Sequence, residues 1–179
     1  MRLKYVILAV LTISVLVSCQ KGETDVIEDE TFPTEKEAIH HFLDENPRSD
    51  VERIDTTDKE EVFLVRSGND QYSLFGMKAA KKEYSIVKLT ATLSLHNTAW
   101  GAGEMTTAKG KDYTFLIGKK GKQAELDPAK KAYIFSDVYA GDGKVSLNKG
   151  HLLEEDKDSA VPESVIETTE TISSLDGSS

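Results

Sequence analysis

The apolar and polar positions of the chain follow three successive patterns: an unbroken apolar run, a helical spacing, and an alternation with period two. The helical spacing comes from four apolar residues that would share one helix face: Ala38, Ile39, Phe42 and Leu43. Thr34 and Glu37 form a capping box in front of this stripe, and Pro47 prevents its continuation. The pattern predicts a helix from Glu35 to Asn46.

The alternation with period two follows the helix and is typical of antiparallel strands with one buried face. The predicted strands are Val51–Thr56, Glu61–Ser67, Gln71–Met77, Tyr84–Leu95, Tyr113–Ile117, Ala132–Val138 and Val145–Leu147. Turn residues separate most of them, and Gly141-Asp142-Gly143 predicts a hairpin turn.

These elements predict an α+β fold, with one N-terminal helix packed on an antiparallel meander and a smaller β-rich portion after it. The globular domain is expected over residues 32–157, with a subdomain break near 97–110, where glycines suggest a flexible link. Residues 158–179 form an acidic, Ser/Thr-rich tail. Val165 and Ile166 could add a late strand or short helix there, and the last dozen residues are expected to be loose.

The unbroken apolar run extends from Tyr5 to Val17 and follows Arg2 and Lys4. Thirteen helical residues span only about 20 Å at about 1.5 Å each, whereas a hydrocarbon core is about 30 Å thick. The basic flank and the short run therefore predict an export signal over residues 1–18, in preference to an uncleaved anchor helix.

The run ends in Leu16-Val17-Ser18-Cys19. This segment resembles the lipobox of bacterial lipoproteins, in which an aliphatic residue and two small or medium ones precede a cysteine. The resemblance implies that a lipoprotein signal peptidase recognises Leu16, Val17 and Ser18 and cuts before Cys19. It also implies that the Cys19 thiol carries a diacylglyceryl group, whose acyl chains hold the protein on a membrane.

The residue after the cysteine helps to predict which membrane holds the lipid anchor. Gln20 stands where many Gram-negative inner-membrane lipoproteins have aspartate. We expect the outer face of a Gram-positive cell membrane, with the outer membrane of a Gram-negative cell as the alternative. Residues 19–31 are acidic and poor in apolar residues, which predicts a solvated tether.

Three segments of the body also resemble small uncharacterised lipoproteins of Bacillus-like bacteria. They are Phe32–Ala38, Val62–Gly68 and Gln71–Gly76, and together with their surroundings they cover about a third of the chain. This resemblance implies no particular activity.

Composition excludes some partners. The formal net charge is −9, and removal of residues 1–18 would make it −11 because Arg2 and Lys4 would be lost. Such a charge repels phosphate backbones and anionic lipid headgroups, so no nucleic-acid partner is expected. The single cysteine cannot form an intramolecular disulfide or a multi-thiolate zinc site.

The histidines do not predict a metal centre. They are His40, His41, His96 and His151. His40 and His41 diverge by about 100° on a helix, and the spacing of metalloprotease ligands is absent. His41 would share a face with Glu37 and Glu45, where a weak divalent site is conceivable, although a solvated face is the preferred interpretation.

Catalytic and cofactor motifs are also missing from the sequence. It has no Gly-x-Ser-x-Gly elbow, and the lysine-rich segment 117–123 lacks the spacing of a phosphate-binding loop. Gly101-Ala102-Gly103 lacks the third glycine of a dinucleotide fingerprint. Segment 137–148 fails as a calcium loop because Tyr139 and Asn148 replace required ligands. We therefore predict no catalytic residues, no metal and no cofactor.

Trp100 is the candidate binding contact, because it precedes glycines in a predicted loop. The alternative is a hydrophobic plug over the end of a sheet. The sequence thus predicts a membrane-anchored, non-enzymatic module that binds an envelope protein or a small ligand. The alternatives are an extracellular hydrolase acting on wall or peptide substrates and an immunity-type lipoprotein that shields its own cell.

Overall fold

The computed structural model describes residues 30–68, 70–119, 138–140, 143–153 and 164–173. The predicted export signal, its Leu16, Val17, Ser18 and Cys19, and nearly all of the tether lie outside these ranges. The described elements are α1 (Glu35–Glu45), β1 (Ser49–Thr56), β2 (Glu61–Ser67), β3 (Gln71–Ala80), β4 (Glu83–Lys88), β5 (Leu93–Ser94), β6 (Trp100–Thr106), β7 (Asp112–Lys119), β8 (Val138–Ala140), β9 (Gly143–Lys149) and β10 (Ile166–Ile172).

Helix α1 has the predicted cap. The Thr34 hydroxyl accepts a hydrogen bond from the Glu37 backbone N–H at 3.2 Å and donates one to the Glu37 carboxylate at 2.9 Å. At the other end, the Asn46 side-chain amide donates to the Phe42 carbonyl at 2.8 Å. Within the described residues, no helix is long and apolar enough to span a bilayer.

Two antiparallel sheets contain the described strands. The first has the order β10-β1-β2-β3-β4, and β5 also pairs with β3. Strands β1 to β4 therefore form a meander, and β10 returns from the far end of the chain to pair with β1. The second sheet has the order β6-β7-β9-β8.

Two apolar clusters hold these layers together. The inter-sheet core lies between the two sheets, and its largest members include Ile54, Leu64, Tyr72, Leu74, Tyr113, Phe115, Ile117 and Leu147. The helix-side core joins α1 to the opposite face of the first sheet through Phe42, Leu43, Val51, Phe63, Val65 and Met77. Side chains alternate between the two faces of β2, so Leu64 lies in the inter-sheet core and Phe63 lies in the helix-side core.

The predicted α+β class is confirmed only in its coarse form. The described chain is mostly β, with one short helix and antiparallel sheets. The helix lies at residues 35–45 and is not at the N-terminus of the chain. The α content is thus smaller than the α+β label implies, because a single helix covers one face of a larger β structure.

The predicted long strand from Tyr84 to Leu95 is wrong. Strand β4 ends at Lys88, and only Leu93 and Ser94 pair again. The break occurs because the Leu89 and Thr90 amides both donate to the Leu74 carbonyl, at 2.9 and 3.3 Å. This bend turns Leu89 into the inter-sheet core.

Two segments expected to be flexible are strands. Residues 100–106, within the predicted link, form β6 and pair with β7 along its full length. The late strand near Val165 is present and extends to Ile172, so residues 168–172 are paired and not loose. The predicted break near 97–110 coincides with the passage from one sheet to the other, yet both sheets share the inter-sheet core.

Candidate functional site

A polar pocket of about 370 Å³ opens beside the turn between β1 and β2. Its lining residues come from the end of β1, the turn, the start of β2 and the start of β10: Asp55, Thr56, Lys59, Glu60, Glu61, Glu167 and Thr168. The volume falls within the range of small-molecule sites, about 300–1,000 Å³. We call this cavity the polar pocket.

Thr56 organises the turn that forms one wall. Its hydroxyl accepts from the Glu60 amide at 2.9 Å and donates to the Glu60 carbonyl at 3.2 Å. The Lys59 amide donates to the Thr56 carbonyl at 2.9 Å, with Lys59 in the left-handed region at φ 61°. These bonds fix the turn, so Glu60 points inward while Lys59 points to solvent.

Two residues of the second sheet form hydrogen bonds with the same turn. Asp58 accepts hydrogen bonds from the Lys149 ammonium at 3.1 Å and from the Tyr113 hydroxyl at 3.2 Å. The hydrogen bond from Lys149 is the main cause that lowers the pKa of Asp58. Burial raises the pKa of Tyr113 to about 12. Tyr113 therefore stays protonated and acts as the donor.

Arg53 lies beside three carboxylates, of which Asp55 and Glu61 line the polar pocket. Its Nε lies 2.7 Å from Glu61 Oε1 and 3.5 Å from Asp55 Oδ1, and its Nη2 lies 3.3 Å from Glu35 Oε1. Glu35 belongs to the first turn of α1, so this network also joins the helix to the sheet. A guanidinium suits this role because it presents several donors in one plane.

Glu61 is the residue of this network whose ionisation changes most. Its side chain is only 14% exposed. Burial raises the pKa of Glu61 to about 7, and the positive charge of Arg53 offsets only part of that effect. The negative charges of Glu35 and Asp55 act in the same direction as burial. Glu61 therefore exchanges a proton near neutral pH.

Glu60 is buried more deeply, with a side chain 2% exposed. The nearest cation is the Lys109 ammonium, which lies 3.6 Å from Glu60 Oε1 and donates to the Lys59 carbonyl at 2.8 Å. In the described part of the chain, no donor is hydrogen-bonded to Glu60 Oε1. The oxygen therefore keeps unused capacity to accept a hydrogen bond.

Strand β10 forms the opposite wall. The Thr168 hydroxyl donates to Asp55 Oδ2 at 3.0 Å, and Glu167 pairs with Lys59 at 2.9 Å. Every carboxylate of the polar pocket thus has a cation close by. Such a site can recognise a polar ligand by hydrogen bonding. Among the residues that the structure describes, no group of three His, Cys, Asp or Glu side chains could hold a metal ion.

Three of the histidines lie beside carboxylates, at separate places. His41 lies 3.4 Å from Glu30 and 3.8 Å from Glu45, whereas Glu37 is engaged by Thr34. The weak divalent site considered for His41, Glu37 and Glu45 is therefore not assembled. His151 lies between Glu104 and Asp112, at 3.1 and 3.3 Å, and links the loop after β9 to the second sheet.

Trp100 lies at the first position of β6, and its exposed fraction is 38%. It is distant in sequence from every residue of the polar pocket and takes no part in its lining. The exposure differs from that of a buried plug, and a role in binding stays a prediction. Cys19 and the three residues before it lie outside the described residues.

Sequence reasoning missed the pocket residues. Glu61 lies on the same face of β2 as Phe63 and Val65, because it is separated from them by two and four positions. This spacing was the signal in the sequence that its side chain faces a core. Its partner Arg53 stands opposite Phe63 in the neighbouring strand. That pairing depends on the length of the turn, which composition does not reveal.

Comparison with known proteins gives no relative for this arrangement. No family model, no curated protein and no solved structure matches the chain.

Proposed function

We propose that the chain is a lipid-anchored protein of the bacterial cell envelope, displayed outside the cytoplasmic membrane, which binds a ligand or partner without catalysing a reaction. The observation that carries this proposal is the basic flank and 13-residue apolar run ending in Leu16-Val17-Ser18-Cys19. We favour the outer face of a Gram-positive membrane, and the outer membrane if the cell is Gram-negative.

The polar pocket supports the binding role. Its carboxylates already have cationic neighbours, so the site has polar recognition groups but no strongly basic or nucleophilic group left unpaired within the described residues. A small polar ligand or a polar side chain of an envelope protein fits this chemistry. The net charge of −9 disfavours nucleic acid as the partner.

Replacement of the cysteine tests the anchor. In cells fed radioactive fatty acid, we expect Cys19→Ala to abolish labelling and to leave a precursor that retains residues 1–18. Ser18→Ala is the matched control, because it keeps a small residue before the cysteine and should still be labelled and processed. Undiminished labelling of Cys19→Ala would overturn the proposal.

A hydrolase is the second candidate function, and Glu61 is the observation that favours it. A carboxyl with a pKa of about 7 in a pocket with other carboxylates has the properties of a general acid. The test is release of fragments from purified cell wall or peptide substrates. Turnover by the native protein that is lost in Glu61→Gln and kept in Glu83→Gln would favour the hydrolase.

A further inference from the structure

One end of the molecule carries a layer of exposed lysines on three turns. Two of these turns, at 57–60 and 81–82, share an end because alternate turns of an antiparallel meander do so. The third, at 107–111, joins them, since the Lys109 ammonium donates to the Lys59 carbonyl at 2.8 Å. The exposed lysines are Lys59, Lys81, Lys82, Lys109 and Lys111, which we call the basic end.

Two carboxylates at the basic end are buried beneath exposed lysines. The side chains of Lys59 and Lys109 are 80% and 52% exposed, whereas those of Glu60 and Glu61 are 2% and 14% exposed. The exposed carboxylates nearby are engaged by other side chains: Glu83 by Thr31, Asp112 by Thr106 and His151, and Glu167 by Lys59. The five exposed lysines of this end thus outnumber the three exposed carboxylates beside them, although the chain has a net charge of −9.

The turn between β3 and β4 places lysines where folding favours other residues. Lys81 and Lys82 form a two-residue hairpin loop between the paired residues Ala80 and Glu83. Both have positive φ, at 51° and 70°. Two-residue loops with this conformation favour Asn and Gly, because a Cβ is strained there. The turn thus carries charge at the expense of local stability, a conflict that is expected at functional positions.

The predicted tether enters the domain beside this turn. Phe32 exchanges two backbone hydrogen bonds of 2.8 Å with Tyr84, and the Thr31 hydroxyl lies 3.3 Å from the Glu83 carboxylate. Glu30, the first described residue, follows Cys19 by 11 positions. A chain of that length has a root-mean-square span of about 18 Å if it is flexible. A lipid on Cys19 would keep the basic end close to the membrane.

We propose that the basic end docks on anionic headgroups of the bilayer that holds the lipid, which orients the domain and brings the polar pocket next to the membrane surface. This inference rests on the proposed lipid anchor. The anchor makes docking an intramolecular step, so a few weak contacts suffice. Each lysine near an anionic bilayer contributes about a fivefold preference, and salt weakens the effect.

The test uses the mature lipidated protein in vesicles of phosphatidylcholine, with and without one third phosphatidylglycerol. Lipidation blocks the Cys19 thiol, so Ala80→Cys provides a single site for a fluorophore next to the turn. Gln71→Cys labels the opposite end of β3. A quencher is attached to a small fraction of the lipid headgroups.

We expect quenching of the Ala80→Cys label to rise at least threefold when phosphatidylglycerol is present, and quenching of the Gln71→Cys label to stay unchanged. The pair Lys81→Gln and Lys82→Gln should remove most of that rise. The pair Arg48→Gln and Lys88→Gln changes the net charge equally at positions before β1 and at the end of β4, away from the turn, and it should preserve the rise.

The outcomes separate this inference from the proposed function. Protein that carries no lipid and does not float with the vesicles overturns both. Lipidated protein that floats with both vesicle types but shows equal quenching in them overturns the docking alone. Quenching that depends on the lysines but not on phosphatidylglycerol also overturns it, because the lysines would then engage the acidic tether.

Discussion

Glu61 lies in line with Phe63 and Val65 on the face of the first sheet that packs against α1, and Arg53 holds its carboxylate there. Burial raises the pKa of Glu61 to about 7, from an ordinary value of 4.5. Between these values the folded protein binds a proton that the unfolded chain has already released. Glu61 therefore lowers the free energy of unfolding progressively as the pH rises from about 4.5 to about 7.

Replacement of this carboxyl should remove that dependence. At pH 8 we expect Glu61→Gln to be more stable than the native protein by roughly 3 kcal/mol, because the amide is neutral at every pH. Below pH 4.5 the two proteins should be about equally stable. Urea denaturation at several pH values measures the difference, with the exposed Glu83→Gln as the control for lost charge. A native-like slope in Glu61→Gln between pH 5 and 7 would contradict the assignment.

Lys81 and Lys82 allow a second prediction at the residue scale. The double substitution Lys81→Asn and Lys82→Gly should raise the free energy of unfolding by about 1–2 kcal/mol, because these residues accept positive φ with less strain. Thermal denaturation checks this result. The same variant should lose the quenching rise seen with anionic vesicles, so stability and docking should change in opposite directions. A destabilised variant would contradict the strain inferred for this turn.

The positions and partners of these charged residues were only partly predictable from the sequence. The parity of Glu61 with its apolar neighbours was visible in the sequence, and so was the capping box of Thr34 and Glu37. The pairing of Glu61 with Arg53 was hidden, since it requires the register between β1 and β2. Burial then decides the ionisation of Glu61, and burial is a property of the whole fold.

At the scale of elements, β6 shows how glycines leave space for large neighbouring side chains. Gly103 lies directly under the ring of Phe115, where an added Cβ would come within 2.5 Å of Cζ. Gly101 stands in the same relation to Leu93, at 2.8 Å. These glycines leave room for Phe115 and Leu93 to pack at the inter-sheet core. In the sequence the same residues suggested a flexible link, because a glycine pattern does not distinguish mobility from close packing.

Adding one methyl group to β6 tests this interpretation. We expect Gly103→Ala to lower the free energy of unfolding by about 1–3 kcal/mol, because Phe115 must leave its position. Phe115→Leu should restore part of the loss when the two changes are combined, since the smaller side chain makes room. A double-mutant cycle by urea denaturation gives this coupling. Additive effects would show that the contact is not the cause.

Elements with local signals were predictable, and those without them were not. Helix α1 and strand β2 have caps or turns at both ends, so their bounds differ from the prediction by at most one residue. The alternation from Tyr84 to Leu95 continued through a bend that is set by hydrogen bonds to Leu74. Such a bond to a neighbouring strand leaves no trace in the local pattern.

At the scale of the molecule, pairing between distant strands determines the architecture. Strand β10 lies against β1, with Glu170 opposite Arg53. It also contributes Glu167 and Thr168 to the polar pocket. The sequence indicated β structure and one helix, but it did not indicate which strands meet. The pocket therefore could not be predicted, because two of its walls are far apart along the chain.

The anchoring and the docking of the whole molecule both depend on the modification of Cys19. The most direct measurement is mass spectrometry of the N-terminal tryptic peptide of protein extracted from membranes with detergent. We predict a peptide of Cys19-Gln20-Lys21 whose mass includes a diacylglyceryl group. A tryptic peptide that spans residues 5–21, as an uncleaved chain would give, or a free thiol on Cys19 in the membrane-extracted protein, would contradict the lipid anchor and the docking inferred from it.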